Sequence, residues 1–328
     1  MSLTTLYNEA TLSTERYFAP KVIDQLFKSN PFAMRLKANA DMLDGGESIE
    51  LPHLFAESPN GEWFSEWDTY DATHKEQLGA GRLPWSLYTI PVLLSNFQLL
   101  KNSGSETARF KLAKQKNIAA AKTAAHHLGQ AVFDITDDGT TNQMNSIDLA
   151  VGTDDTGESA SATYANITRA GSGDTLLWDA QVDSTTTVLT LDKMQELYSD
   201  CQEGDEAPNL IVTGKANFNR VWSQYLPTQR QGSDELGKLG FTSLLFNGRP
   251  LVVDSHVANV ADGSDDGDRL YMFNMNYIRL VAHPMAFYNF MKSPMPSNQW
   301  IHIGRYFLMA QLVCDAPRYQ GKMTAIVS

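Results

Sequence analysis

Several short segments of the sequence have residue types at the spacings that phosphate-, calcium- and dinucleotide-binding loops use. Residues 152–159 have the glycine spacing of a phosphate-binding loop, but Glu158 occupies the position of the lysine that contacts the phosphates, and its charge would repel them. Residues 262–267 resemble the first half of a calcium loop, but Phe273 stands at the twelfth position, where a glutamate must complete the coordination shell. Residues 79–81 begin a dinucleotide fingerprint without its third glycine, which predicts a flexible loop. We therefore expect no cofactor.

The histidines and cysteines do not form a pattern typical of a metal or catalytic site. His126 and His127 are adjacent, so on a helix their side chains point about 100° apart and cannot bind one ion together. Cys201 and Cys314 are too few and too far apart for a disulfide framework or a zinc knuckle, so buried free thiols are predicted. The sequence contains no Gly-x-Ser-x-Gly nucleophile elbow. We therefore expect neither a metal site nor catalytic residues, and a protein that is not an enzyme.

Four aromatic residues favour a different kind of site. Trp63, Phe64, Trp67 and Tyr70 lie among Asp, Glu and Gly residues in a long connection between two predicted strands. Aromatic side chains on a hairpin that cannot shield itself are typical anchors of protein interfaces. The alternative is a local cluster that folds back on its own strands. We predict that these four residues contact another subunit.

The segments on either side of this connection predict a long β-hairpin over residues 40–100. Pro52 and Pro91 cannot donate to a β-ladder, so both strands should be edge-like. A lone hairpin is marginally stable in water at best, so we expect a neighbouring copy of the chain to cover it. The period-two alternation that marks the two strands comes from Ile49, Leu51 and Phe55 in the first and from Tyr88, Ile90, Val92 and Leu94 in the second.

A long helix is predicted after the hairpin, from a possible cap at Ser105 to about residue 132. At 1.5 Å per residue it would be roughly 42 Å long. Gly129, late in the helix, would let another backbone approach closely. One face of the helix is predicted from the 4-3-4 spacing of Ala121, Ala125, Leu128 and Val132.

Charge and composition exclude some classes of function. A net charge of −12 argues against general nucleic-acid binding, which needs a basic surface. Residues 134–206 contain sixteen acids and two bases, whereas residues 105–125 contain five bases and one acid. The simplest interpretation of the basic helix is a solvated face, and the alternative is that two faces meet two environments. The longest apolar stretch, residues 85–100, is too short to span a membrane, and the first residues lack a signal-peptide pattern, so a soluble protein made in the cytoplasm is expected.

After residue 135, helices and strands alternate irregularly, without a βαβ order or an internal repeat, which indicates the α+β class. Short strands are predicted around residues 147–151. Helices are predicted from residue 191 to 201, with Thr190 as cap, and over residues 216–225. Further strands are predicted at 209–213, 244–246, 251–253, 270–273 and 278–281, followed by a final strand pair at 301–303 and 307–313.

The order of these elements, together with residues 163–169, 177–182, 209–225, 246–254 and 303–318, resembles the HK97-fold major capsid proteins of tailed bacteriophages. In that family the parts are called the N-arm, the E-loop, the spine helix of the peripheral (P) domain, and the axial (A) domain. The resemblance implies five regions: an N-terminal arm and short helix at 1–39, the E-loop β-hairpin at 40–100, the spine helix at 101–135, a mixed and mostly A-domain region with P-domain segments at 136–295, and a C-terminal strand return at 296–328.

The resemblance also implies a function. The expected protein is a major capsid (head) protein that self-assembles into pentamers and hexamers of an icosahedral shell enclosing phage genomic DNA. Its expected partners are other copies of itself and packaged double-stranded DNA, bound without sequence specificity, and they extend to scaffolding, portal and decoration proteins but not to a membrane. Some family members begin with a scaffolding segment; here the arm starts at once, so a separate scaffold or none is expected. The expected location is the virion, and the host cytoplasm during assembly.

Three alternatives remain open. An encapsulin-type nanocompartment shell protein shares the fold but encloses protein cargo. An α+β hydrolase would use the hairpin as a lid and would need a nucleophile and a base. Another phage structural protein would form rings or tubes instead of closed shells.

Overall fold

The described part of the chain contains a four-stranded sheet, a seven-stranded sheet, two two-stranded sheets and six α-helices, one of which is long. The computed structural model describes residues 30–54, 63–69, 78–101, 106–137, 139, 142–153, 163–169, 178–185, 187–225, 243–257, 268–293 and 300–327. The helices are α1 (Pro31–Ala38), α2 (Asn96–Lys101), α3 (Glu106–Val132), α4 (Ile147–Ala150), α5 (Leu191–Asp200) and α6 (Lys215–Tyr225), and a 3-10 turn covers Pro317–Tyr319. The strands up to residue 188 are β1 (Asp41–Met42), β2 (Ser48–Leu54), β3 (Leu78–Pro84), β4 (Ser86–Ser95), β5 (Thr163–Tyr164), β6 (Ile167–Thr168), β7 (Gln181–Asp183) and β8 (Thr187–Val188). The later strands are β9 (Leu210–Thr213), β10 (Ser243–Phe246), β11 (Arg249–Val253), β12 (Asp268–Phe273), β13 (Ile278–Ser293), β14 (Ile301–Cys314) and β15 (Gly321–Val327).

The first sheet has the strand order β1-β13-β14-β4. Strand β14 pairs antiparallel with both of its neighbours, and its pairing with β4 runs from Ile301↔Ser95 to Ala310↔Ser86. Strand β4, which contains Pro91, is an edge strand, as predicted. The predicted strand pair at 301–303 and 307–313 is wrong, because the two segments form one strand. The strand continues through Gly304, which pairs with Lys292 and Val92, and the absence of a Cβ there leaves room for the Phe290 ring.

The second sheet has the order β10-β11-β9-β12-β15-β7, and β8 also pairs with β15. Strands β9 and β12 are buried along their whole length, which requires cover on both faces. Tyr271 and Phe273 face the core shared with α1 and the first sheet, whereas Leu270 and Met272 face the core formed with α5 and α6. The helices and strands predicted over residues 191–273 are present with shifts of one or two residues at their ends, and Thr190 caps α5, where the Lys193 N–H donates to its Oγ1 at 3.3 Å.

Helix α3 begins at Glu106 and ends at Val132, close to its predicted ends. Its buried face is formed by Ala120, Ala124, Leu128 and Val132. The prediction of Ala121 and Ala125 on this face was wrong, since both are exposed. The sequence has alanines at 119–121 and 124–125, so hydrophobicity alone does not distinguish one row of alanines from the next.

Gly129 allows a close approach, as predicted, but to side chains and not to another backbone. A Cβ at this position would lie 2.8 Å from Asn30 Cγ and 2.9 Å from His256 Cε1. The Asn30 side chain accepts from the Ala33 N–H at the start of α1 and donates from Nδ2 to the Ala125 carbonyl of α3 at 3.1 Å. Gly129 therefore fixes α1 and the 254–257 segment against the long helix.

The predicted hairpin pairing was wrong. Strand β2 pairs with β3, from Ser48↔Pro84 to Leu54↔Leu78, and not with β4, which belongs to the four-stranded sheet. The predicted flexible loop at residues 79–81 is wrong, because these residues pair with β2 as part of β3. The missing Cβ of Gly81 leaves room for Ala165, whose Cβ would lie 3.1 Å from it, and the Arg82 N–H donates to the Ala165 carbonyl at 2.8 Å.

Residues 147–150 form the short helix α4 and not the predicted strand. Ser146 has extended backbone and its Oγ accepts from the Leu149 N–H at 3.1 Å, which starts a helical turn. The apolar run that suggested a strand is buried on all sides. Period alone cannot distinguish such a short buried run from a strand.

A buried ionic cluster joins α4 to strands β12 and β15. The carboxylate of Asp148 accepts from the Arg269 guanidinium and, at 3.1 Å, from the Tyr271 hydroxyl, and it forms an ion pair with Lys322 Nζ at 3.3 Å. All four residues are at most 2% exposed. Burial lowers the pKa of Lys322, although Asp148 opposes this effect. The cluster contains two basic side chains and one carboxylate.

Arg169 is a further buried basic residue, and it is fully buried. Its guanidinium donates to the carbonyls of Leu149 at 3.2 Å, of Ala150 at 2.7 Å and of Trp178 at 3.2 Å. These carbonyls end α4 and begin the segment that leads to β7. The Arg169 guanidinium therefore supplies hydrogen-bond donors to backbone carbonyls where the regular structure of α4 ends.

Candidate assembly interface

The tip of the hairpin, residues 63–69, exposes large aromatic side chains. The relative exposure is 104% for Trp63, 67% for Phe64 and 89% for Trp67. These three side chains are therefore not packed as a cluster on the described strands, which was the alternative interpretation. Tyr70, the fourth predicted anchor, lies outside the described residues.

The turn at the tip is held by two hydrogen bonds between Ser65 and Asp68. The Asp68 N–H donates to the Ser65 carbonyl at 3.1 Å, and the Ser65 N–H donates to Asp68 Oδ2 at 2.9 Å. Glu66 and Trp67 are the two central residues of this turn. The Trp67 side chain is therefore presented from a backbone that is already ordered.

The base of the hairpin, in contrast, is covered by its own chain. Ile49, Leu51 and Leu83 are 2–3% exposed and belong to the large core. His53 lies against the Trp178 ring, with ring centroids 5.0 Å apart. The expectation that another copy must cover the whole hairpin is therefore wrong for its base and remains a prediction for its tip. At the far end of the strands, Leu54 and Leu78 face each other and are 60% and 73% exposed.

A second exposed apolar surface lies at one end of the four-stranded sheet, and we call it the sheet-end patch. The Asn96 N–H donates to the Trp300 carbonyl at 3.2 Å, so α2 begins beside the start of β14. This surface is not evident from the sequence, because the alternation over residues 88–94 identifies the more buried face of β4 and not the opposite face. The patch covers both faces of the sheet end, since Phe290 and Met291 are consecutive in β13. It consists of Leu93, Phe97, Leu100, Phe290, Met291 and Trp300, which are 40–59% exposed.

The hairpin tip and helix α3 have opposite charge. Residues 63–69 contain Glu66 and Asp68 and no basic residue. Residues 114–132 of α3 contain Lys114, Lys116 and Lys122 and no acid. Lys116 Nζ also donates to the Leu93 carbonyl at 2.9 Å, so this lysine contacts the edge strand β4, whereas Lys114 is exposed.

A cavity of about 230 Å³ lies between α3 and the sheet. Tyr88 and His127 stand at its polar side, where the Tyr88 hydroxyl and His127 Nδ1 are 2.9 Å apart. Burial raises the pKa of Tyr88, so the hydroxyl is protonated at neutral pH. The apolar walls of the cavity are formed by Ala124, Leu128, Ala131, Met144, Leu308 and Ala310.

The adjacent histidines contact different partners, as their positions on a helix predict. His127 contacts Tyr88, whereas His126 Nδ1 lies 3.0 Å from His256 Nε2. His256 Nδ1 lies in turn 3.2 Å from Asp254 Oδ1. This arrangement resembles the carboxylate and imidazole of a catalytic dyad, but the second imidazole nitrogen faces another histidine and not a nucleophile.

The cysteines are both free and buried, as predicted. Burial raises the pKa of the Cys314 thiol to about 12 and also raises that of Cys201. Such thiols are poor nucleophiles at neutral pH. Within the described ranges, no group of three or more His, Cys, Asp or Glu side chains is placed to hold a metal ion.

Two of the loops that resemble ligand-binding motifs fall mostly outside the described residues. They are the phosphate-like loop at 152–159, of which residues 154–159 lie outside the described part, and the calcium-like segment at 262–267, all of which lies outside it. Phe273, at the twelfth position of the calcium-like loop, is fully buried in β12. Among the helices that the structure describes, none is long and apolar enough to cross a membrane.

Comparison with solved structures shows similarity over almost the whole chain. The Cyanophage A-1(L) capsid asymmetric unit matches 94% of this chain and 96% of its own, with 14% identity and a TM-score of 0.65. The capsid of Myoviridae phage XM1 matches 95% of this chain and 97% of its own, with 11% identity and a TM-score of 0.55. The SrpI encapsulin complex of Synechococcus elongatus PCC 7942 matches 94% and 92%, with 9% identity and a TM-score of 0.57. No protein-family model and no curated protein sequence matches the chain.

These similarities show the fold. The chain has the α+β, HK97-type fold of phage capsid subunits, as the order of sequence elements had implied. At identities of 9–14%, the fold is what the comparisons show.

Proposed function

We propose that this chain is the major capsid (head) protein of a tailed bacteriophage, which self-assembles into pentamers and hexamers of an icosahedral shell around phage genomic DNA. The observation that carries the proposal is the end-to-end similarity in fold to phage capsid subunits. Because one fold can serve several functions, the exposed aromatic tip adds an independent argument. A chain with three such side chains at one tip is expected to bury them against a partner.

The proposal assigns a role to each region of the chain. Residues 40–100 are the E-loop and the strand that fixes it to the sheet, and residues 101–135 contain the spine helix. Residues 136–295 are mostly the A-domain with P-domain segments, and residues 296–328 are the C-terminal return. Residues 1–39 are the N-terminal arm and a short helix, of which the structure describes α1.

In this proposal, assembly depends on contacts between the surfaces of adjacent subunits and not on chemical catalysis. Trp63, Phe64, Trp67 and Tyr70 of one subunit contact the adjacent subunit. Such a contact is heterologous, because a tip meets a different surface, and heterologous contacts that close on themselves form rings. Each subunit makes several contacts at once, so individually weak contacts give a stable shell.

The charge distribution supports a shell that encloses DNA without recognising its base sequence. Residues 134–206 contain sixteen acids and two bases, so this region does not grip phosphates. The proposed partners are other copies of the chain and packaged double-stranded DNA, and they extend to scaffolding, portal and decoration proteins. The proposed location is the virion, and the host cytoplasm during assembly.

The second candidate is an encapsulin-type nanocompartment shell protein. The similarity to the SrpI encapsulin complex, at a TM-score of 0.57, is the observation that favours it. The phage candidate ranks higher because the Cyanophage A-1(L) capsid unit superimposes with a TM-score of 0.65. Terminase and portal genes beside this gene would support a phage, whereas a cargo-enzyme gene would support a nanocompartment.

The third candidate is an α+β hydrolase with a hairpin lid, and the geometry of the described residues does not support it. Its best dyad, Asp254 and His256, ends on His126. Turnover of generic ester or phosphate substrates would nevertheless overturn a purely structural role.

Electron microscopy of the purified chain, with its mass distribution measured by light scattering, tests the proposal. We expect closed polyhedral particles, with DNA inside when they are isolated from infected cells. Protein cargo inside the particles would favour the nanocompartment. A compact monomer that never assembles, even when its gene neighbours are co-expressed, would refute the shell function.

A further inference from the structure

Trp67 has the properties of a preformed anchor. It is 89% exposed, and it occupies a central position in a turn that Ser65 and Asp68 hold by two hydrogen bonds. An anchor on an ordered backbone loses little conformational entropy on binding. Tryptophan is also among the residues most enriched at the energetic centres of interfaces.

The cavity between α3 and the four-stranded sheet matches such an anchor in size and chemistry. Its volume is about 230 Å³ and its walls are mainly Ala, Leu and Met side chains. An apolar cavity of about 150 Å³ is known to hold a benzene molecule, so this larger cavity can hold an indole ring. The polar side, at Tyr88 and His127, offers hydrogen-bonding groups near the indole N–H.

Charge favours the approach of the tip to this part of the molecule. The tip has Glu66 and Asp68, and the described side chains of α3 include three lysines and no acid. Lys116 lies two helical turns before Ala124 on the same row, about 12 Å along the helix. Opposite charges at this range steer association and exclude wrong partners.

From these observations we infer that Trp67 of one copy inserts into the cavity of a second copy, between Ala124 and Ala131 of α3 and strand β14. The occupant is Trp67 of another copy of this chain. Within one copy, Trp67 is solvent-exposed and the described residues leave the cavity unfilled. This inference rests on the proposed function, and it names the surface that receives the hairpin tip.

Photo-crosslinking in assembled particles tests the contact directly. Trp67 is replaced by p-benzoylphenylalanine in an unlabelled chain, which is co-assembled with an isotopically heavy chain that keeps Trp67. After irradiation, mass spectrometry should find heavy–light crosslinks to the peptide that contains Met144, since benzophenone reacts well with methionine. The matched control places the same residue at Trp300, which is 59% exposed in the sheet-end patch and should not label Met144.

Filling the cavity provides an independent test. Ala131→Phe places a ring in the cavity and should raise the concentration needed for assembly by at least about 30-fold, as Trp67→Ala should, since both remove one anchor contact. Ala125→Phe is the control, because Ala125 lies on the exposed side of the same helix. Circular dichroism and thermal unfolding confirm that each variant is folded.

The outcomes separate this inference from the proposed function. Heavy–light crosslinks to Met144, together with impaired assembly of Ala131→Phe but not of Ala125→Phe, would support both. Closed particles in which position 67 labels only other surfaces, or only its own chain, would overturn the inference and leave the shell function intact. Absence of particles from the wild-type chain would overturn the proposed function itself.

Discussion

Replacing Asp148 by asparagine should destabilise the subunit strongly. Within the described part of the chain, Asp148 is the carboxylate that pairs with both Arg269 and Lys322, and all three side chains are at most 2% exposed. The asparagine side chain would keep the shape of the aspartate and remove its charge. Two buried cations would then face each other without this anion, which is the costliest way to break a buried ion pair.

The expected cost is about 3–5 kcal/mol, the range for removing one partner of a buried ion pair. Against a total stability of about 5–15 kcal/mol, this is a large fraction. Lys322→Met should cost much less, about 1 kcal/mol or under, because it leaves Asp148 paired with Arg269 and removes the excess buried charge. The double variant Asp148→Asn/Lys322→Met should be more stable than Asp148→Asn alone.

Urea unfolding of unassembled subunits, followed by tryptophan fluorescence, measures these differences. The midpoint of Asp148→Asn should fall by about 1 M or more. The pH dependence gives a second measurement. Burial lowers the pKa of Lys322, so the unfolded chain binds more protons between that lowered pKa and the ordinary value of 10.5. The stability of the wild type should therefore rise relative to Lys322→Met as the pH approaches 10.5.

Two results would contradict this reasoning. One is a loss of less than about 1 kcal/mol in Asp148→Asn, which would mean that water or a shifted pKa compensates the lost charge. The other is a larger loss in Lys322→Met than in Asp148→Asn, which would mean that packing of the lysine stem outweighs its charge.

Three further predictions concern single residues. Gly129→Ala should lower the melting temperature, with a cost of about 1–3 kcal/mol, because crowding against His256 exceeds the gain in helix propensity; an unchanged melting temperature would contradict this. Arg169→Met should cost about 3 kcal/mol or more in urea unfolding, because three buried carbonyls lose their donor; a loss under about 1 kcal/mol would argue against it. Cys201 and Cys314 should not react with a thiol reagent such as DTNB at about pH 8 until denaturant is added; rapid labelling of the native chain would disprove their burial.

The sequence predicted long elements well. Helix α3 was predicted because a long polar, alanine-rich run without proline strongly favours an α-helix. Helix α5 was found through the Thr190 cap and a clear apolar period. Strand β9 was found because four apolar residues between turn residues indicate a buried strand. In these elements the information is local, so one sequence is sufficient.

The errors occurred where distant residues decide the local structure. Gly81 and Gly304 lie in strands that pair with distant segments, and their missing Cβ atoms leave room for Ala165 and for the Phe290 ring. Neither contact can be inferred from the residues that neighbour Gly81 or Gly304 in the sequence. The contact of the tip aromatics with another subunit stays a prediction, and three of them, Trp63, Phe64 and Trp67, are exposed. The cavity beside α3 could not be predicted, because its walls come from four separate segments of the chain.

The late position of β14 and β15 in the chain has a consequence for synthesis. Strand β14 lies between β13 and β4, and β15 lies between β12 and β7, so neither sheet can close before residues 301–327 have left the ribosome. Sheets that pair distant strands form slowly, and chains fold as units while synthesis proceeds at about 5–20 residues per second. A polypeptide that stops early therefore leaves both sheets open and exposes their apolar interiors to proteases. Completion of both sheets therefore depends on β14 and β15, which are translated after the strands that they join.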